Sequence, residues 1–248
     1  MFTRLVTCLI VSLGFAAAAR AAEIKVLAPN AAKESVTEAI LIFEKTTGHK
    51  VSISWSGTEA ITKRVADGEP VDVVVNAAQN IDRQSKDGRL AAATRTDFAK
   101  SGIGVAVPSS AAKMDVSTQD ALKIALLSAK TVVVSSGTSG RHMVEVFTKL
   151  GIGEQVKAKI KQPPSAAQIA DFLAAGNADI GFQQISELLH AKGINYLGPV
   201  PGDLQNYTTY SAAISAGSAN ADVAKALLAA LRAPSTQAIV RASGMEPI

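Results

Sequence analysis

The sequence predicts an α/β protein of two lobes, with mainly parallel sheets and two chain crossings between the lobes. Strand-like and helix-like hydrophobic patterns alternate along most of the 248 residues, which is typical of sheets covered by helices on both faces. The length, less an N-terminal leader, is enough for two lobes of roughly 100 residues each. Irregular polar stretches at 94–102 and 199–209 interrupt the alternation. We therefore expect one lobe from 22–103 with 210–248, and the other from 104–209.

The first 21 residues have the features of a secretory signal peptide. Arg4 precedes an almost entirely apolar run over 5–18, and Ala19-Arg20-Ala21 fits the small-x-small cleavage rule. The run is shorter than the roughly 20 apolar residues of a membrane span. Cys8, the single cysteine, would leave with this leader, so disulfides and cysteine-ligated metals are not expected in the mature chain. The predicted location is the periplasm.

The predicted strands share short continuous runs of apolar, mostly β-branched residues, as in strands buried on both faces. They are 24–28, 51–55, 71–75, 104–107, 131–135, 179–183, 196–198 and 208–214. The predicted helices place apolar residues three or four positions apart. They are 31–47, 59–66, 118–127, 141–150, 166–175, 184–191, 221–231 and 235–242, and the polar segment 94–102 is also interpreted as helical.

Four turns that follow predicted strands contain the candidate ligand-binding residues. In an open α/β sheet, ligands lie at the carboxyl ends of strands, where helix N-termini present unpaired N–H groups and favour negative charge. The turns span 28–32, 55–59, 135–141 and 183–184. Their candidates are Asn30, Ala31, Gly57, Thr58, Ser136, Thr138, Ser139, Arg141 and Gln184.

The turn at 135–141 is the most ligand-like, because its hydroxyl groups and two glycines can form an anion-binding nest. It lacks the Gly-Lys-Ser/Thr of a nucleotide phosphate loop. Arg141 could clamp a carboxylate with two hydrogen bonds, or it could be a solvated residue of the first helical turn. Likewise, Asn30 and Ser56 or Thr58 could simply cap the helices that follow them.

The residue inventory favours a binding protein over an enzyme. His49, His142 and His190 are far apart and show no metal-ligand spacing. The sequence has no nucleophile elbow, zinc-protease motif or dinucleotide fingerprint. Without Arg4 and Arg20 the 25 basic residues become 23 against 21 acidic ones, a net charge of +2 with no basic block for nucleic acid. We expect neither a cofactor nor a metal.

Several segments of the mature chain resemble one family of exported proteins. They are the opening strand 24–28, the hydroxyl-rich turn 54–58, the stretch Asp67–Val75, the strand entry Asn177–Gly181, and the closing helix after Ala233. Of these, Asp67–Val75 is the most specific, because it is similar to an Ala-Gly-x-Pro-Ala-Asp stretch. The family is that of the periplasmic molybdate-binding proteins, which are type II solute-binding proteins of ABC transporters.

The resemblance implies a Venus-flytrap fold whose cleft holds a tetrahedral oxyanion by neutral donors. Carried over by position, the serine of the first turn falls at Ala31 and that of the second at Thr58. The donors of the second lobe fall near Ser139, Ala166 and Gln184, the last in place of a tyrosine. The implied protein is a monomeric substrate-binding component of an ABC importer, with a small anion such as molybdate or tungstate and a membrane permease as partners.

Two alternatives remain open at the level of sequence. The missing hydroxyl at Ala31, the amide at Gln184 and the nearby charge of Arg141 are also compatible with an organic carboxylate as ligand. The same fold could instead act as a periplasmic sensor or adaptor without a transport role.

Overall fold

The computed structural model describes residues 21–164 and 167–248, which form eleven strands and ten α-helices. The strands are β1 (Glu23–Pro29), β2 (Lys50–Ser56), β3 (Val73–Ala77), β4 (Thr96–Ser101), β5 (Ile103–Pro108), β6 (Val132–Val134), β7 (Ile160–Lys161), β8 (Ile180–Gln184), β9 (Ile194–Pro199), β10 (Thr208–Ile214) and β11 (Glu246–Pro247). The helices are α1 (Lys33–Thr47), α2 (Thr58–Ala66), α3 (Ala78–Lys86), α4 (Gln119–Ser128), α5 (Thr138–Lys149), α6 (Gly153–Lys157), α7 (Ile169–Ala174), α8 (Ile185–Leu188), α9 (Ala221–Leu231) and α10 (Pro234–Ala242). The predicted signal peptide lies outside the described residues.

The strands form two mixed sheets. The first has the order β11-β4-β10-β3-β1-β2 and the second the order β7-β6-β8-β5-β9. In the first sheet β1 is parallel to β2 and β3, and in the second β6 is parallel to β7 and β8. Every antiparallel pairing in these sheets involves β4, β5, β9 or β10, the strands beside the crossings. The predicted two-lobed α/β fold is confirmed, but the sheets are mixed rather than mainly parallel.

The chain changes sheet at Gly102 and returns over residues 200–207. We call the first sheet with its helices lobe 1 and the second sheet with its helices lobe 2. Gln205 ties the crossings together, because its Oε1 accepts from the N–H of Ile103 at 2.7 Å and its Nε2 donates to the carbonyl of Ile103 at 2.9 Å. The lobe boundaries inferred from the sequence, after 103 and after 209, stay a prediction.

Each lobe has its own apolar core. In lobe 1, α1 packs on the sheet with the stripe the sequence predicts, including the fully buried Val36 and Phe43. This helix ends at Gly48, whose positive φ of 73° allows its N–H to reach the carbonyl of Glu44. In lobe 2, the buried Met143 and Phe147 of α5 pack against the sheet. None of the helices in the described ranges has the length and apolarity that crossing a membrane requires.

The segment interpreted as helical at 94–102 is instead strand β4. It pairs with β10 on one side and with β11 on the other, and it buries Phe98 and Ala99 completely. Its polar residues are satisfied by neighbouring strands: Lys100 forms an ion pair with Glu246 at 2.9 Å. Partners distant in sequence therefore override the local helical pattern.

Candidate functional site

A small cleft of about 40 Å³ lies between the two lobes. It sits where β1 and β2 of lobe 1 and β6 and β8 of lobe 2 end, the edge where open α/β sheets bind ligands. Lobe 1 lines it with Pro29, Asn30, Ala31, Ser56, Gly57, Thr58 and Tyr210. Lobe 2 lines it with Ser135, Ser136, Gly137, Thr138, Ser139, Pro164, Ala167, Gln183, Gln184 and Glu187.

The cleft brings together most of the residues that the sequence singles out. Eight of the ten predicted ligand-site residues line it: Asn30, Ala31, Gly57, Thr58, Ser136, Thr138, Ser139 and Gln184. Arg141 does not line it, and Ala166 lies outside the described residues. Whether these side chains contact a ligand stays a prediction.

The polar side chains of lobe 1 beside the cleft do not cap the helices that follow them, although the sequence left that alternative open. Asn30 opens a 3-10 turn over Asn30–Ala32 without a side-chain capping bond, and α1 has Ala32 as its N-cap. Helix α2 has Gly57 as its N-cap, so neither Ser56 nor Thr58 serves there.

A hydrogen-bond network inside lobe 1 supports the turn at Thr58 that lines the cleft. The carbonyl of Thr58 accepts from the hydroxyl of Thr62 at 2.8 Å and from the side-chain amide of Asn76 at 3.2 Å. The same amide also donates to the hydroxyl of Thr62 at 3.1 Å. Asn76 is fully buried, so this network fixes the position of Thr58 from inside lobe 1.

The turn between β6 and α5 forms the facing wall. The hydroxyl of Ser135 accepts from the N–H of Gly140 at 3.1 Å and lies 3.0 Å from the hydroxyl of Ser139. A side chain at Gly140 is excluded, because its Cβ would lie 1.7 Å from the carbonyl oxygen of Ser135. The backbone of this turn therefore packs closely against itself at Gly140.

Two hydroxyls of this turn are buried without a partner. Within the described residues, neither Ser136 Oγ nor Thr138 Oγ1 makes a hydrogen bond. Both belong to residues that line the cleft, beside the N-terminus of α5, where Gly137 is the N-cap and no side chain caps the helix. A buried, unpaired hydroxyl costs about 1–3 kcal/mol, so two at one helix end indicate a group that supplies acceptors there.

Glu187 and Tyr210 also line the cleft, although the sequence pattern singled out neither. Burial raises the pKa of Glu187 to about 8, although hydrogen bonds from the Gln168 side chain and the Gln184 backbone oppose the shift. The side-chain amide of Gln183 donates to Glu187 Oε1 at 2.8 Å. Burial and the charge of Glu187 hold the pKa of Tyr210 well above its usual range. One signal existed in the sequence: within the predicted helix 184–191, Glu187 follows the candidate Gln184 by three residues, a spacing that predicts one shared face.

Gln184 is engaged with the chain crossings. Its side-chain nitrogen donates to the carbonyls of Ser101 at 3.0 Å and Gly102 at 3.2 Å, and its oxygen accepts from the hydroxyl of Thr208 at 3.0 Å, in the orientation that satisfies both amide atoms. These partners lie on the strand before the first crossing, at that crossing, and on the strand after the second. The amide therefore links the cleft to the crossings.

Contacts around the cleft also join the two lobes. Arg141 of lobe 2 pairs with Glu59 of lobe 1 at 2.7 Å, and the ring of His190 lies 3.1 Å from the carboxylate of Glu34. A Cβ at Gly137 would lie 3.0 Å from the hydroxyl of Thr58. The lobes are closed onto each other, and the guanidinium of Arg141 is directed to a carboxylate outside the cleft rather than into it.

The charge of the cleft follows from these positions. Among the described residues that line it there is no lysine, arginine or histidine, and Glu187 is the one carboxylic acid. Its polar groups are otherwise hydroxyls, amides and backbone N–H groups. Such a lining holds an anion by hydrogen bonds rather than by counter-charge.

Comparison with known proteins identifies the family. A family model described as bacterial extracellular solute-binding protein matches residues 24–246. An aconitate isomerase from Pseudomonas sp is 32% identical over 100% of this chain and 98% of its own length. The molybdate-binding protein ModA of Azotobacter vinelandii is 31% identical over 95% of this chain and 96% of its own.

The solved structures agree on the fold. The periplasmic molybdate-binding protein of Azotobacter vinelandii superimposes with a TM-score of 0.72 at 21% identity, covering 90% of this chain and 98% of that one. The resemblance to the molybdate-binding proteins drawn from the sequence is thereby confirmed at the level of the family. The chain belongs to the bacterial extracellular solute-binding proteins.

Proposed function

We propose that this chain is the periplasmic substrate-binding component of an ABC importer and that it captures a small anion in the cleft between its lobes. The observation that carries the proposal is the pair of unpartnered buried hydroxyls, Ser136 and Thr138, at the uncapped start of α5. An anion between the lobes would accept from both hydroxyls and from the helix N–H groups. Hydrogen bonds to a charged group stabilise by roughly 1.5–3 kcal/mol each.

Capture would proceed by closure of the lobes. The ligand favours the closed form because only there do donors from both walls reach it. Gly137 of lobe 2 lies close to Thr58 of lobe 1, since even a Cβ added at Gly137 would come within 3.0 Å of the Thr58 hydroxyl. The closed monomer would then dock on a membrane permease.

The first candidate ligand is a tetrahedral oxyanion such as molybdate or tungstate. It is supported by the neutral donor lining and by relatives named for these ions, ModA of Azotobacter vinelandii and the tungstate-binding protein TupA of Desulfovibrio alaskensis. A cage of neutral donors selects such ions by size and by protonation state.

The second candidate is an organic polycarboxylate, bound or also isomerised. Glu187 favours it, because a carboxylic acid in the cleft can donate to a ligand carboxylate. Glu187 could also remove a proton from one carbon of an unsaturated acid and return it to another while the double bond shifts, so that atoms and charge balance. The relative named aconitate isomerase adds support.

A ligand screen on the purified mature protein separates these candidates. Molybdate, tungstate, sulfate, phosphate and di- and tricarboxylates are tested by thermal unfolding, where a ligand at 100 times its dissociation constant stabilises by about 2.7 kcal/mol. A shift with molybdate and tungstate alone supports the first candidate, and a shift with carboxylates alone rules it out. Proton NMR of cis- and trans-aconitate incubated with the protein reports isomerisation. No shift with any of these anions would refute the proposed function.

A further inference from the structure

We propose that closing the cleft on its anion takes up one proton, which is carried by Glu187. This inference rests on the proposed function, because it describes the same cleft. It adds a specificity-determining residue and a pH dependence that the neutral donors alone would not give.

In the part of the chain that the structure describes, the lining of the cleft has no positive charge to balance a second negative group. Glu187 lines the cleft together with the turn at 135–139, and no cation lines the cleft among the described residues. An ionised Glu187 would therefore share a closed, poorly hydrated space with a negative ligand. Two like charges in such a site cannot both stay ionised at little cost, whereas one proton removes the repulsion.

The groups that pack around Glu187 supply no compensating charge inside the cleft. Gln183 on β8 and Gln168 before α7 contact it through neutral amides. From β10 the phenol of Tyr210 faces it, and the pKa of that phenol is raised further by Glu187. On the remaining side of α8, Tyr196 of β9 packs near Leu188 as part of an apolar cluster.

The charged neighbours lie on the outer side of Glu187. Lys33, Glu34 and His190 line a separate surface pocket that also includes Glu187. His190 is engaged there with Glu34 at 3.1 Å, and both side chains are about half exposed, at 53% and 44%. Exposed charges are screened by solvent, so the pair of His190 and Glu34 does not neutralise the charge of Glu187. Variants of this pair can therefore serve as controls.

Closure of the lobes couples ligand binding to protonation of Glu187. With the lobes apart, the lobe 1 residues Asn30, Ala31 and Tyr210 no longer cover Glu187, and water can solvate its carboxylate. With the lobes together, burial raises the pKa of Glu187 to about 8. Between these two states the group gains a proton at neutral pH, and the neutral acid then presents an O–H donor to the ligand.

Calorimetry counts this proton directly. Sodium molybdate and trans-aconitate are titrated into the wild-type protein and into Glu187→Gln at about pH 7, in two buffers of different ionisation enthalpy, PIPES and imidazole. We expect close to one proton per bound anion for the wild type and none beyond the ligand's own titration for the variant. Between about pH 5 and pH 8, the window set by a pKa raised from 4.5 to about 8, the wild-type affinity should fall by up to tenfold per pH unit, and that of the variant should not.

Each outcome decides the matter. Equal proton counts for the wild type and Glu187→Gln overturn the inference while leaving capture of the anion intact. Binding of neither probe overturns the proposed function and this inference with it. The wild-type count in two buffers stands alone if the variant does not fold. The controls Glu34→Gln and His190→Gln should keep the wild-type proton count, because loss of the proton in either would assign it to the outer pair.

Discussion

The two walls of the cleft differ in what they leave unsatisfied. In lobe 1, the turn at Thr58 is fixed by the buried Asn76 and by Thr62, which leaves a rigid surface with its hydrogen bonds made. In lobe 2, Ser136 and Thr138 present buried hydroxyls without partners within the described residues, and Glu187 adds an acid. If the cleft binds an anion as proposed, lobe 1 would mainly cover it and lobe 2 would determine which anion is accepted.

The largest expected effect comes from removing the free hydroxyls of lobe 2. Ser136→Ala combined with Thr138→Val should weaken binding of the anion found in the ligand screen by about 100-fold, since each charge-assisted hydrogen bond contributes at least roughly 1.5 kcal/mol. Unfolding of the free protein should be unchanged or slightly harder, because two unpaired buried groups disappear. Titration calorimetry and thermal unfolding measure the two effects.

Lobe 1 provides a matched control. Ser85 on α3 also has a buried hydroxyl without a partner among the described residues, but it lies outside the cleft. Ser85→Ala should leave the affinity unchanged. Equal losses in both variants would mean that the hydroxyls of lobe 2 act on stability rather than on the ligand.

The next effect is a pH dependence of the free energy of unfolding that comes from Glu187 in the wall of lobe 2. A carboxyl whose pKa is about 8 in the closed protein and near 4.5 when unfolded keeps its proton in the native state alone between those pH values. The unfolded state then binds fewer protons, so the wild type should lose stability as pH rises through this window, at up to about 1.4 kcal/mol per pH unit. Glu187→Gln should remove that part of the slope, so that the variant gains on the wild type toward pH 8 and not near pH 4.5.

Urea unfolding at several pH values measures this difference. Asp72→Asn is not a suitable control, since Asp72 holds a structural network with Lys25 and Ser218. Glu59→Gln is better matched, because the Glu59 side chain is half-buried but does not line the cleft. Parallel stability curves for the wild type and Glu187→Gln would contradict the assignment.

The smallest effect concerns the contact that joins the two walls. The pair of Arg141 and Glu59 is 48% and 33% exposed, and such pairs contribute at most about 1 kcal/mol. Arg141→Ala should therefore weaken ligand binding by less than about fivefold, and Glu59→Gln by a similar amount. The double variant should be no worse than either single one, and the effect should fade at high salt. A loss of tenfold or more in Arg141→Ala alone would restore the contact with a carboxylate ligand that the sequence suggested.

The sequence was informative where structure is set locally. The apolar stripe of α1, the stop at Gly48 and the hydroxyl-rich turns after β2 and β6 depend on neighbouring residues and on the rule that ligands meet strand ends. Strand β4 was misread because its pairing with β10 and β11 is distant in sequence.

The site was harder to predict, because its geometry also depends on residues that are distant in sequence. Glu187 became visible only once the fold buried it beside Gln183, because burial is a property of the packed lobes. Arg141 has the right position for an anion clamp but the wrong direction, since the first turn of α5 points it at Glu59 of the other lobe. Direction and depth of a side chain are not encoded in the spacing of residues.

The fastening of the two crossing segments has a consequence for how such proteins diversify. Gln205 binds both backbone groups of Ile103, and Gln184 spans Ser101, Gly102 and Thr208. If the lobes open as proposed, these bonds would confine bending to a narrow strip of backbone, and the lobes would then move about a single axis. Any ligand that contacts both lobes would then favour the same closed form, whatever its chemistry. The loops that line the cleft could change and bind a different ligand, while the surface that contacts a membrane partner stays the same.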